Sequence, residues 1–353
     1  MAIRIMIMAG GTGGHVFPAL AVADYLRQAG HEVSWLGTKK GIEARVVPEA
    51  GIDIDWLSVS GLRGKGLASL LLAPFMLLKA CYQASIIIRQ RQPDVVLGLG
   101  GFASGPGGLM SWLHGKPLVI HEQNRVPGTT NRLLKSIAKR VLEAFPRSFE
   151  NKTQAVFTGN PVRKELLDHS LKETKSNTNV LVVGGSLGAS VLNEVVPDAL
   201  QEIQQEMNLQ VIHQAGKATV EVAKKKYKDT KVQAEVCVFI DDMKQAYQWA
   251  DVVICRAGAM TVSEIMVMGL PAIFVPLPHA IDDHQSKNAA YLADQGAAIV
   301  MPQRSFTPKA LSTTLKTLLL DKKRLSEMRA KAFSLAKPEA TELVANTCLE
   351  VAL

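Results

Sequence analysis

Two glycine-rich turns of one kind, each directly after a buried-strand pattern, constrain this chain more than anything else in it. The first is Gly10-Gly11-Thr12-Gly13-Gly14-His15, after Ile3-Arg4-Ile5-Met6-Ile7-Met8. The second is Gly184-Gly185-Ser186-Leu187-Gly188-Ala189-Ser190, after Val180-Leu181-Val182-Val183. A glycine turn between a strand and a helix exposes backbone N–H groups at a positive helix end, where phosphate binds. One such turn suggests a nucleotide site. Two, each opening its own half of the chain, predict an α/β protein of two Rossmann-like halves facing each other across a cleft.

A length of 353 residues suits two domains, and 47% hydrophobic residues are enough to give each a core. With 20% charged and 5% aromatic residues, the composition argues against disorder and against a stacking surface for single-stranded nucleic acid. The net charge of +8 asks for an anionic partner: nucleic acid, an anionic membrane or a phosphorylated substrate. There is no zinc-ligand spacing and no RNA-binding aromatic signature, so no nucleic-acid partner is expected. Cys81, Cys237, Cys255 and Cys348 are scattered, which fits a reducing cytosol. The start of the chain has no signal-peptide layout, and no apolar run reaches the ~20 residues that span a bilayer. The nearest, Leu67 to Leu78, is broken by Pro74. The expectation is a protein that is soluble or peripheral to a membrane.

The first half alternates strand and helix patterns, with strands at 3–8, 32–36, 94–99 and 117–121 and helices at 18–29, 67–91 and 129–139. The second half repeats the plan, with strands at 180–183, 209–213, 235–239, 252–255 and 272–275 and helices at 189–206, 217–227, 243–249, 261–268 and 284–295. Strands separated by helices imply parallel βαβ units. Gly159-Asn160-Pro161-Val162-Arg163 reads as the interdomain joint, because Asn-Pro breaks a helix. The expected domains are therefore 1–162 and 163–337, with a last helix at about 338–353 packing back on the first.

The dinucleotide fingerprint wants an acidic residue at the end of the second strand. Here that strand ends Trp35-Leu36-Gly37-Thr38, which argues against NAD. His15 on a phosphate-binding turn could take a proton from a substrate hydroxyl, or could only cap the helix or bind phosphate. A third glycine cluster, Gly98 to Gly108, suits either backbone approach to a bulky anion or tight strand-to-helix packing.

The densest constellation is Cys255-Arg256-Ala257-Gly258-Ala259-Met260-Thr261-Val262-Ser263-Glu264. Gly258 permits a close turn, Thr261 can cap a helix, and the helix N–H groups then meet a diphosphate. Glu264, about one turn inside, can accept both hydroxyls of a ribose, or can merely favour the helix dipole. Gln285 and Asn288 share a helix face and suit sugar hydroxyls. Neither Asp241-Asp242 nor Asp282-Asp283 makes a convincing metal site, because adjacent helical residues point about 100° apart.

Taken in order, the Gly10–His15 turn, His121-Glu122-Gln123-Asn124, Gly159–Arg163, Gly184–Ala189, Arg256–Glu264 and Asp283-His284-Gln285 resemble the bacterial glycosyltransferases that complete lipid II. The resemblance implies a GT-B fold and transfer of N-acetylglucosamine from UDP-N-acetylglucosamine to the muramyl 4-hydroxyl of lipid I, with inversion. It implies that Thr12, Gly13, Gly14 and Asn124 meet the donor sugar. Arg163 and Ser186 would hold the diphosphate region, the backbone of Ile240 would read uracil, and Ala259, Met260, Thr261, Val262 and Ser263 would form the helix end. Glu264 would take the ribose and Gln285 the sugar, with Asn288 as companion. Gly101, Ser104 and Gly105 are candidates for the acceptor pyrophosphate. His15 is the first choice for the base and Glu122 the reserve. No metal and no other cofactor are expected.

The polyprenyl acceptor implies contact with the anionic cytoplasmic leaflet of the bacterial plasma membrane. Leu71, Phe75, Leu78 and Tyr82 lie at helical spacing, flanked by Arg63, Lys65 and Lys79, with Trp112 as a possible neighbour. Periodicity alone favours a plain core helix, and it is the resemblance that favours membrane contact. Rival functions are another GT-B lipid glycosyltransferase, such as one acting on diacylglycerol, a dinucleotide oxidoreductase, and a non-catalytic nucleotide-sugar binder.

Overall fold

The computed structural model describes residues 1–59, 67–168, 178–185, 188–278 and 280–353, without side chains at 67–72, 151 and 281. The chain forms two compact units, Met1–Arg163 with Lys337–Leu353, and Lys164–Ala336.

The first unit runs β1 (Arg4–Ala9), α1 (Gly13–Gln28), β2 (Glu32–Gly37), α2 (Glu43–Glu49), β3 (Asp53–Trp56), α3 (Leu67–Arg91), β4 (Val95–Gly100), α4 (Ser104–Leu113), β5 (Leu118–Glu122), α5 (Thr129–Leu134), β6 (Arg140–Glu143) and β7 (Val156–Phe157). Among the described residues the strands form one parallel sheet in the order β3-β2-β1-β4-β5-β6-β7. β1 shows why. Successive side chains of a strand point to opposite faces, and both faces here are covered. Ile5 and Ile7 pack with Val16, Ala19 and Leu26 on one side. Met6 and Met8 pack with Leu36, Ala84 and Ile88 on the other. Strands buried on both faces read as continuous apolar runs, as β4 does.

The second unit runs β8 (Thr178–Val183), α6 (Ser190–Ile203), β9 (Leu209–Gln214), α7 (Val220–Thr230), β10 (Glu235–Cys237), α8 (Met243–Trp249), β11 (Val252–Cys255), α9 (Ala259–Met268), β12 (Ala272–Phe274), α10 (His284–Ala293), β13 (Ala298–Val300), α11 (Pro308–Leu320) and α12 (Lys322–Ser334). Its parallel sheet has the order β10-β9-β8-β11-β12-β13 among the described residues. Val180, Val182, Leu192, Val196, Ile254, Leu311 and Leu315 join one core.

The chain then returns to the first unit as α13 (Ala340–Ala352). Val344, Ala345 and Cys348 are fully buried there, on α1 and β4. Burial pushes the Cys348 thiol up to about 12, so it is inert as a nucleophile. The return passes so close that a Cβ on Gly159 would stand 2.3 Å from Lys337 Cβ.

Several element limits differ from the sequence expectation. α1 begins at Gly13 and carries Pro18 inside it, because the glycines of the first turn are already helical. Residues 104–113, read as loop, are α4, and the expected 129–139 helix stops at Leu134. β3, β6, β7 and β13 escape the reading because they run only two to four residues. β10 ends at Cys237 instead of 239.

Val344→Asp places a carboxylate in the α1–α13 core with no partner. We expect a stability loss of about 3 kcal/mol or more, read from urea unfolding.

Candidate functional site

In an open parallel sheet, ligands bind beyond the carboxyl ends of the strands, where the strand order reverses. In the first unit that point lies between β1 and β4, and in the second between β8 and β11. All the glycine turns that the sequence singled out leave these four strands.

The turns after β1 and β4 touch. Gly101, at φ +84°, lies so close to the first turn that a Cβ would stand 2.3 Å from Gly10 O. Gly101 is therefore a packing glycine. The Ser104 hydroxyl is fully buried and donates to Met8 O (2.8 Å) or Gly100 O (2.7 Å), while accepting from Gly100 N. Gly105 lies in the first turn of α4. Thr12 is the N-cap of α1, with no side-chain cap, and Gly13 and Gly14 open the helix with no acidic residue in its first turn. First-turn N–H groups have no partner within a helix, so this end suits an anion.

Glu43 holds the first turn in place, and sequence reasoning missed it. Its fully buried carboxylate accepts from Gly11 N (2.9 Å), Thr38 N (3.1 Å) and Thr38 Oγ1 (2.7 Å). The signal was present as an acid six residues past a strand that lacks a terminal one.

His15, half-buried, stands within 2.7 Å of Gln123 Oε1 through Nδ1. Gln123 Nε2 lies 3.0 Å from both His121 Nδ1 and His121 O, and His121 Nε2 lies 2.9 Å from Gly159 O. Asn160 Nδ2 donates to Gln123 O at 3.0 Å. The Gly159-Asn160 motif, read as a joint, thus also buttresses the His121–Gln123 motif. Burial pushes His121 down to about 4, against the raising effect of its bond to Gly159 O. Glu122, the reserve base, is also buried, at 1% exposure. It accepts from Asn124 N, Asn124 Nδ2, Gly128 N and Asn131 Nδ2. Both oxygens are engaged in shaping the loop that carries Asn124, which leaves Glu122 poorly placed to take a substrate proton.

In the second unit Gly188, at φ +80°, would put a Cβ 2.3 Å from Ala215 O, so that turn is also set by backbone approach. Ser186 lies outside the described residues. α9 begins at Ala259 with Gly258 as N-cap, so Thr261 sits inside the helix and does not cap it. The first turn carries no acidic residue, and it presents the N–H groups of Ala259, Met260 and Thr261. Val262 and Ser263 are buried, the Ser263 hydroxyl bonding back to Ala259 O at 3.0 Å. Glu264 is half-buried, and Tyr247 Oη donates to its Oε2 at 2.9 Å. Tyr247, itself buried, orients that carboxylate and was missed because it comes from a different helix, α8.

Three polar residues turn out to brace these loops. Arg256 donates to Val275 O, Pro276 O and Gln303 Oε1. Asn288 is fully buried, and its amide donates to Ala257 O at 3.3 Å. Gln285 is half-buried, and its Oε1 accepts from Leu277 N at 3.0 Å. The Ile240 N–H meets Gln214 Oε1 at 3.4 Å. Arg163 is half-buried at the end of the first unit's main segment. Among the described residues, no group of three or more His, Cys, Asp or Glu side chains could hold a metal ion.

α3 and α4 pack together and carry apolar side chains outward. Phe75, Leu78 and Tyr82 are 71%, 67% and 68% exposed, and Trp112 49%. The opposite face of α3, with Ala80, Ala84 and Ile88, is the buried one, so the core-helix reading of Phe75, Leu78 and Tyr82 is wrong. Leu71 lies in α3 without a described side chain, and Arg63 and Lys65 lie outside the described residues. Among the described residues no helix is long and apolar enough to cross a membrane.

Two doubly wound parallel sheets, each with glycine turns at its switch point, are the architecture of the GT-B class. Residues 5–143 match the glycosyltransferase family 28 N-terminal domain and residues 179–344 its C-terminal domain, and the chain belongs to that family. It is 56% identical, over 100% of this chain and 99% of the relative, to the UDP-N-acetylglucosamine--N-acetylmuramyl-(pentapeptide) pyrophosphoryl-undecaprenol N-acetylglucosamine transferase of Methylococcus capsulatus. The protein of that name from Ectopseudomonas mendocina is 54% identical over 99% of this chain and 98% of its own length. The crystal structure of Acinetobacter baumannii MurG superposes with a TM-score of 0.84 at 43% identity, covering 99% of each chain.

Two outcomes follow from the buried polar groups. Glu43→Ala strands three donors, and should cost about 2–4 kcal/mol in urea unfolding. His121, and His213, which burial pushes down to about 3, are depressed in the folded chain relative to an unfolded value near 6.5. Above that value both states are neutral. As pH falls below it, only the unfolded chain takes up the protons, so stability should drop by about 1.4 kcal/mol per pH unit for each histidine. Urea midpoints that decline from pH 7 to pH 5 would bear this out.

Proposed function

We propose that this chain transfers N-acetylglucosamine from UDP-N-acetylglucosamine to the 4-hydroxyl of the muramyl sugar of undecaprenyl-pyrophosphoryl-N-acetylmuramyl-pentapeptide, lipid I, and so forms lipid II for the cell wall. The observation that carries the reading is full-length identity above one half to relatives whose names state that transfer. The acid-free helix end at Ala259 and the glycine turns supply the anion-binding geometry the donor needs.

In this reading the second unit binds the UDP moiety. The N–H groups of Ala259, Met260 and Thr261 face the diphosphate, Glu264 takes the ribose hydroxyls while Tyr247 steadies it, and Gln285 offers its amide to the sugar. A carboxylate is an acceptor at both oxygens, the chemistry that a pair of ribose hydroxyls needs. Arg163 adds a guanidinium to the leaving diphosphate. The acceptor oxygen attacks the anomeric carbon from the face opposite UDP, its proton passes to His15, and the electron pair of the breaking C–O bond leaves with the diphosphate. The α link of the donor becomes a β-1,4 bond. Charge on the departing UDP is met by the helix end and Arg163, with no metal in the scheme.

The outward apolar face of α3 and α4 suits a peripheral seat on the anionic cytoplasmic leaflet, with Phe75, Leu78, Tyr82 and Trp112 in the interface and Lys79 beside them. A lone apolar face of this kind on a soluble monomer would be a liability.

Release of UDP with a short-chain lipid I analogue, undiminished by chelator, is the deciding assay. Transfer to diacylglycerol but not to the lipid I analogue would replace this reading with the rival lipid glycosyltransferase. Glu264→Ala should weaken donor binding by ~1–3 kcal/mol, the scale of hydrogen bonds to a charged group, and unchanged affinity would remove the ribose role. Phe75→Ser with Leu78→Ser should reduce sedimentation with anionic vesicles while leaving turnover on a water-soluble acceptor intact.

A further inference from the structure

We propose that Gln123 and His121 lock His15 into the one tautomer whose Nε2 carries a lone pair, which makes both of them positioning residues for proton removal from the acceptor. The proposal rests on the reading of His15 as the base, and deepens it.

The direction of every hydrogen bond in the row is dictated from its ends. Gly159 O can only accept, so His121 Nε2, 2.9 Å away, carries a hydrogen. His121 is fully buried, and burial keeps it neutral well below neutral pH. A neutral imidazole has one N–H, so its Nδ1 is an acceptor. The Gln123 terminus 3.0 Å from that Nδ1 is also 3.0 Å from His121 O, another pure acceptor. Both contacts demand the NH2 end of the amide. Turning the amide over would set two carbonyl oxygens against each other. Gln123 Oε1 must therefore face His15, and because it too can only accept, His15 Nδ1 donates at 2.7 Å. The single N–H of neutral His15 is thereby spent on Gln123, and Nε2 is left as the acceptor.

The row is held rigidly. Asn160 Nδ2 fixes the Gln123 backbone carbonyl. A Cβ at Gly100 would stand 3.1 Å from His15 Cε1 and 3.2 Å from Nδ1, so the imidazole lies directly on that glycine, where only the missing side chain makes room. The free histidine side chain favours the opposite form, with hydrogen on Nε2, which could not accept a substrate proton there. The linker is an amide. When Nε2 takes up a proton, the Nδ1–H···Oε1 bond persists, and the next nitrogen along, His121 Nδ1, already faces a donor. The new positive charge therefore stays on His15 and does not pass down the row.

The direct test is 15N NMR of the full chain labelled at histidine, at pH 8, with the His15 signals identified by their loss in His15→Ala. The wild type should show a pyrrole-type Nδ1 and a pyridine-type Nε2. Gln123→Met should raise the population of the Nε2–H form and lower kcat at least about tenfold, within the range of a positioned base, with KM for UDP-N-acetylglucosamine unchanged. A wild-type His15 protonated at Nε2, a reading that needs no variant to fold, would overturn the lock. So would an unchanged tautomer in a folded Gln123→Met protein. A tautomer that shifts while kcat stays constant leaves the lock standing and removes His15 as the base.

Discussion

Close backbone approach at the carboxyl ends of two parallel sheets is the constraint on which the rest of this molecule depends. At Gly101 and Gly188 a single added carbon would fall 2.3 Å from a carbonyl oxygen of the neighbouring turn. Any other residue would push the β1 and β4 turns apart, where the strand order reverses, and the β8 turn away from the turn after β9. The helix ends of α1 and α9 carry no acidic residue in their own first turns.

Around these turns lies a set of buried and half-buried polar side chains whose work is to hold loops. Glu43 collects three donors, Glu122 four, and Arg256 reaches three acceptors. A buried charge is tolerable only when its hydrogen-bonding capacity is met, and meeting it removes conformational freedom from the segments that supply the partners. The loops bearing Gly11, Asn124 and Ala257 are fixed in this way before any ligand arrives. His15 and Glu264 are each steered by a neutral partner, Gln123 and Tyr247, which positions them without adding charge.

The helix pair α3 and α4 shows the limit of periodicity as a guide. Spacing at 75, 78 and 82 is equally that of a core stripe and of an outward apolar face. What separates them is the neighbouring row at 80, 84 and 88, made of small and branched residues that fit against the sheet. The bulky aromatic row is left outside.

Local order was legible in the residues themselves. The unbroken apolar runs of β1 and β4 prescribe a parallel, doubly covered sheet, and glycine turns after strands mark phosphate-binding ends, because both follow from short-range sterics and from the need to hide apolar surface. Short strands such as β7, with only two residues, carry too little pattern to be seen. The partnership of residues far apart in the chain was not legible. Ser104 and Asn288 look like ligands in sequence and also bond distant backbone carbonyls in space, while Glu43 and Tyr247 look ordinary and prove to hold the turn and the acid. Whether a polar side chain meets a substrate or a distant carbonyl depends on which carbonyl the fold brings within 3 Å or so. Sequence determined the elements and the kind of chemistry they can carry. Tertiary structure alone decided which polar groups remain available for it, because hydrogen-bond capacity is finite and the buried backbone claims its share first.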